Sequence, residues 1–169
     1  EGDAVWEAGR NGQWSMELLE AALSRSDTPC GLTDEDGRTQ NLIGTGELYK
    51  LVKDPAAYLV EHNDGFRSTL LMINGAIRDY CFAGKITGET NPVSNQFFLT
   101  PTPNVTYSAC LVAKIEEMFV TGKAPFPAER TLIACGTLES CLQSRYQNHR
   151  RLETPHLQVK YRAPTESHP

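Results

Sequence analysis

The sequence predicts an α+β fold: a largely antiparallel open sheet backed by helices on one face. Three observations carry that prediction. Apolar residues alternate with polar ones over residues 57–100, helical stripes follow over residues 111–142, and alternation returns in the closing "HLQVKYR". The chain is 169 residues long, enough for one domain with a buried core, and its 40% hydrophobic and 22% charged content is ordinary for a globular chain.

Residues 1–14 hold Trp6 and Trp14 among small and polar residues and show no strong period. Ser15 stands where an N-cap belongs, ahead of an apolar stripe of Leu18, Leu19, Ala22 and Leu23. That helix stops before Thr28-Pro29. From Cys30 to Gly46 the chain is rich in Gly, Asp and Thr and reads as a long loop. Residues 1–46 are therefore expected to form a helical arm and loop, and residues 47–169 the sheet domain. "IGTG" (Ile43–Gly46) lacks the third glycine and the strand of a dinucleotide fingerprint, so it is a weak phosphate-site signal.

Strands are expected at "AYLVE" and "FRSTLLMI", joined by the turn "HNDG", then at "AIRDYCFA" after Asn74-Gly75, and at "SNQFFLT". Such short connections predict a meander. The first late helix carries Leu111, Val112, Ile115, Met118 and Phe119 on one stripe and stops at Gly122. The second starts near Pro127 with Glu129 at the positive end of its dipole, and carries Leu132, Ile133, Cys135, Leu138, Cys141 and Leu142. Gly136 inside it predicts close packing against another backbone. In the final stretch Leu157, Val159 and Tyr161 are expected to face one way, and His156, Gln158, Lys160 and Arg162 the other.

The net charge of −5 argues against a general nucleic-acid binder. Charge is unevenly placed: residues 1–40 hold nine acids and three bases, residues 145–162 five bases and Glu153 alone. The five cysteines include no CxxC pair, so they read as reduced thiols of a cytoplasmic protein, and Cys110, Cys135 and Cys141, among apolar neighbours, are expected to be buried. No apolar run approaches the ~20 residues of a membrane span. A start at Glu1 reads as a fragment or processed chain.

"LESCLQSRYQNHRRLETPHLQVKYR", with Ser144 at a helix end and Asn148 at the turn, and "FVTGKAPFPAERTLIACGTLES" before it, resemble the C-terminal domain of the glucose-fructose oxidoreductase/inositol dehydrogenase/rhizopine catabolism (Gfo/Idh/MocA) family. The resemblance covers roughly residues 57–162. "EGDAVWEAG", "DGFRSTLLMINGAIRDYCFAGK" and "ETPHLQVKY" resemble more closely a family of planctomycete-type bacterial proteins of the same plan, a match that names no reaction. The resemblance implies the substrate-binding and assembly domain of a sugar-type oxidoreductase. It implies homo-oligomers meeting through the open sheet face, a small polar ligand or sugar, and NAD(P) held only by a missing or partner Rossmann domain. The family's Glu-Lys-Pro motif has no counterpart, since "VKDP" separates its lysine from its proline, so no catalytic residue carries over. The chain is not expected to be catalytically competent alone. A non-catalytic ligand-binding or oligomerisation module is the alternative.

Candidate ligand contacts are Tyr107 at a helix start, Arg130, Arg150, Arg151 and His156. All but Tyr107 also have a plainer reading. Tyr107 follows "PNVT", where free backbone N–H groups meet an anion; Arg130 pairs with Glu129 at a helix start. Arg150 and Arg151 read as solvated charge near a helix C-terminus, and His156 as a surface side chain. Asp79, inside an apolar stretch, reads as the buried partner of an arginine or as a pocket acid.

Overall fold

The computed structural model describes residues 1–28, 41–98 and 105–162. The expected α+β class holds, with antiparallel pairing throughout the strands. The chain divides into two compact units, Glu1–Leu99 and Thr100–Pro169.

The first unit opens with α1 (Asp3–Arg10), a helix the sequence pattern does not announce. Asp3 in its first turn and Arg10 in its last complement the helix dipole, while Val5, Trp6 and Gly9 share its buried face. Trp14 lies flat over Gly9. A Cβ there would come within 2.5 Å of the indole, so only glycine fits. The indole Nε1 donates to the Val5 carbonyl at 3.0 Å, which satisfies the one polar atom of a buried ring. Helix α2 (Met16–Leu23) begins as expected, with Ser15 Oγ accepting from the Leu18 N–H at 3.2 Å. Asn41 builds the turn into α3 (Glu47–Leu51): its Oδ1 accepts from the N–H groups of Ile43 and Gly44. "IGTG" is thus a turn into a five-residue helix, with Gly46 left-handed at the N-cap.

These three helices and the residues that flank them supply most of the core. Val5, Trp6, Trp14, Leu19, Leu42, Leu48 and Val52 are buried together with Ile73 and Ala76. Trp6 meets Trp14 and Tyr49 edge-on, with ring centroids 6.4 and 5.2 Å apart. The N–H of Gly2 donates to the Pro55 carbonyl at 2.9 Å, tying the first residues to the start of the first strand.

Strands β1 (Ala56–Glu61) and β2 (Arg67–Met72) pair antiparallel, Ala56 opposite Met72 and Glu61 opposite Arg67. Their turn is the expected "HNDG": Gly65 has φ +84°, and Asp64 Oδ1 accepts from the Phe66 N–H at 3.0 Å. Ala57 and Leu71, directly opposite and on one face, pack against the core. β3 (Tyr80–Gly84) pairs antiparallel with β4 (Val93–Phe97). The expected single meander resolves into these two separate hairpins. Asn74-Gly75 does not join paired strands. It forms a tight loop in which the Ala76 N–H donates to the Ile73 carbonyl, and this loop plugs Ile73 and Ala76 into the core.

In the second unit, α4 (Thr106–Thr121) ends at a left-handed Gly122, as expected, and α5 (Ala128–Tyr146) follows Pro127. The closing "HLQVKYR" corrects the sequence reading, because it is no strand. Pro155–Leu157 form a single 3₁₀ turn, and no sheet joins residues 157–162. The reason lies at Gly136. Leu157 fills the space where a side chain at Gly136 would stand, so the apolar residue that the alternation assigned to a sheet packs on a helix. Close packing at Gly136 is present, against a side chain and not a backbone.

Candidate interaction surface

The β3–β4 hairpin has two chemically distinct faces. Its register places Tyr80 opposite Phe97, Phe82 opposite Asn95 and Gly84 opposite Val93 on one face. Cys81 opposite Gln96 and Ala83 opposite Ser94 form the other. The second face meets α2 and the segment that follows it, and that segment bonds it through polar groups. Arg25 Nε donates to Ser94 Oγ at 2.8 Å, and Gln96 Nε2 donates to Asp27 and Asp79 at 2.7 Å each. The first face is left to solvent although it carries the apolar residues: Tyr80 is 66% exposed, Phe82 49% and Phe97 53%. The usual order, apolar inside and polar outside, is reversed here.

Asp79 lies just ahead of β3 and gathers the contacts. Both its oxygens accept from Ser26 Oγ at 3.0 Å, and Oδ2 also accepts from the Asp27 N–H at 3.2 Å. The arginine expected for it is not its partner in this network. Burial pushes the Asp79 carboxyl up, but hydrogen bonds from Ser26, Gln96, Thr28 and the Asp27 backbone outweigh it and hold the group below the usual carboxylate value. The neighbouring Cys81 thiol is pushed up to about 11 by burial and by the negative charge of Asp79.

The helices of the second unit also expose their stripes. Leu111, Val112, Ile115 and Phe119 of α4, and Leu132, Leu138 and Leu142 of α5, are exposed. Cys135, Leu138, Leu142 and Tyr146 line a shallow apolar groove of about 550 Å³ along α5. Of the thiols expected to be buried, Cys110 and Cys141 are half-buried and Cys135 is exposed.

The five candidate contacts do not converge. Tyr107 stands in the first turn of α4, and its side chain is not among those described. Arg130 begins α5 and stacks 4.6 Å over the Phe126 ring. Arg150 and Arg151 follow the other end of that helix, about 25 Å away at 1.5 Å per residue. There the chain reverses sharply: Asn148 and His149 both take positive φ, and Ser144 Oγ donates to the Arg150 carbonyl at 2.8 Å. Asn148 is the residue the sequence placed at the turn. Arg151 lies 3.6 Å from Glu153, and His156 is exposed in the 3₁₀ turn. The residues that sequence reasoning missed are Ser26, Thr28 and Gln96 around Asp79. Their only signal was an acid in an apolar stretch.

Among the described residues no group of three His, Cys, Asp or Glu is placed to hold a metal ion, and no helix is long and apolar enough to cross a membrane. Comparison of the chain with family models, curated proteins and solved structures finds no match.

Proposed function

We propose that the chain is an assembly domain, the substrate-side half of a sugar-type Gfo/Idh/MocA-like oxidoreductase whose nicotinamide cofactor is held by a Rossmann domain on a missing segment or a partner. The observation that carries assembly is the solvent-facing apolar surface of the β3–β4 hairpin, Tyr80, Phe82, Val93 and Phe97. Aromatic side chains bring roughly 150–250 Å² each, so even half-exposed they form a patch of several hundred Å², the scale at which interaction sites begin. A second copy of the chain is the partner, in a two-fold, self-complementary pair. The free thiols of the described cysteines support a reducing, cytoplasmic setting.

The second reading, a non-catalytic ligand-binding or oligomerisation module, draws on Asp79. Both its oxygens are engaged by neutral donors, an arrangement that suits a structural role and not proton transfer. Light scattering at tens of micromolar tests assembly. A dimer that becomes a monomer on Phe97→Asp supports it, and a strict monomer ends it. Calorimetry with NAD and NADP separates the two readings: binding only in the presence of a Rossmann-domain partner favours the first, and no partner-dependent binding favours the second.

A further inference from the structure

The two hairpins are attached to the first unit by different physics. β1–β2 is held by burial, because Ala57 and Leu71 pack on the core. From residues 80–97 nothing enters that core or the apolar shell around it. The β3–β4 hairpin is tied instead to the segment just after α2 through a set of hydrogen bonds: Ser26 Oγ, the Asp27 N–H and Gln96 Nε2 onto Asp79, Gln96 onto Asp27, and Arg25 onto Ser94. The backbone entering the hairpin is held likewise, the Arg78 N–H donating to Thr28 Oγ1 at 3.0 Å. One ion pair, Lys85 with Glu17 at 3.7 Å, lies in solvent and adds little.

Water replaces hydrogen bonds at small net cost, whereas it replaces apolar packing at a large one. Ala76, fully buried just ahead of β3, anchors the entry to the hairpin in the core. We propose that β3–β4 is a flap, latched to the segment that follows α2 by the polar contacts around Asp79, and that it opens as a unit while the core of α1, α2 and α3 stays folded. Opening carries the apolar face of Tyr80, Phe82 and Phe97 with it, so the surface proposed for assembly is movable relative to the core. The latch stands on contacts within one chain and does not depend on what covers that face.

Hydrogen–deuterium exchange by mass spectrometry tests it, on the full chain at a concentration where light scattering shows one species. A two-stranded hairpin released from its latch is only marginally stable in water, so its own ladder amides exchange once it opens: in Asp79→Asn, exchange over residues 80–84 and 93–97 is expected to rise tenfold or more, with residues 47–52 changing less than twofold. Ser26→Ala, which removes one donor, is expected to give the same pattern with a smaller rise. Equal rises in both regions would overturn the proposal, as would no rise at 80–97. Loss of the folded core in Asp79→Asn, read from Trp6 and Trp14 fluorescence, would also overturn it, because the latch would then be holding the core. Assembly is scored separately by light scattering, so failure of one does not imply failure of the other.

Discussion

Gly75→Ala is the sharpest test of how the first unit closes. Gly75 has φ +101°, a conformation that costs an L-residue about 1–3 kcal/mol. An added Cβ would stand 2.6 Å from the Leu51 carbonyl oxygen, and that atom is backbone. It cannot easily give way, because the next residue, Val52, is buried and its N–H is bonded to the Leu48 carbonyl at 3.0 Å. Strain and collision together set the expected loss at about 3 kcal/mol, which for a unit of this size lowers the melting temperature by about 10–20 °C. Gly46→Ala is the control: φ is +75°, but nothing lies within 4 Å of the new Cβ, so about 1 kcal/mol is expected. Both tryptophans lie in this unit's core, so urea unfolding followed by Trp fluorescence reads it directly. A Gly75→Ala variant no less stable than Gly46→Ala would refute the reasoning, since the collision with Leu51 would then count for nothing.

Leu48 is 0% exposed, and Leu48→Ala should cost about 2–5 kcal/mol by the same urea assay. Because the Asp79 carboxyl is held below its ordinary value when folded, its contribution is complete above the usual carboxylate range. It is lost as pH falls through the lowered value, so acid unfolding below about pH 4 should be shallower in Asp79→Asn than in the parent. Cys81, with its thiol at about 11, should react with iodoacetamide at pH 7.5 more slowly than exposed Cys135, as mass mapping of the modified peptides will show.

What the sequence made legible follows from how local each cause is. The Ser15 cap, the "HNDG" turn, the Gly122 stop and the start of α5 depend on a few neighbouring residues, and all are where the pattern puts them. Helix α1 escaped notice because its packing position at Gly9 is a glycine, which adds nothing to an apolar period, and the ring that covers it lies outside the helix at Trp14. Asn74-Gly75 is a sound turn signal, yet it closes a loop into the core instead of a hairpin. Alternation in residues 156–162 is real, but a strand needs a partner, and Leu157 found Gly136. In β3–β4 the alternation separated two faces without telling which is inward. That choice was made by Ser26 and Asp79, 53 residues apart in the chain.

The tie between the first helix and the loop at Ile73–Ala76 also sets a timetable for synthesis. Val5, Trp6 and Trp14 form a third of the buried cluster, and the cluster closes only when Ala76 arrives. At roughly 5–20 residues per second, about 4–14 s separate the appearance of Val5 from that of Ala76. Throughout that interval two indole rings have no complete shelter. A chaperone that engages nascent chains therefore has a handle at Trp6 and Trp14 for the whole of that interval.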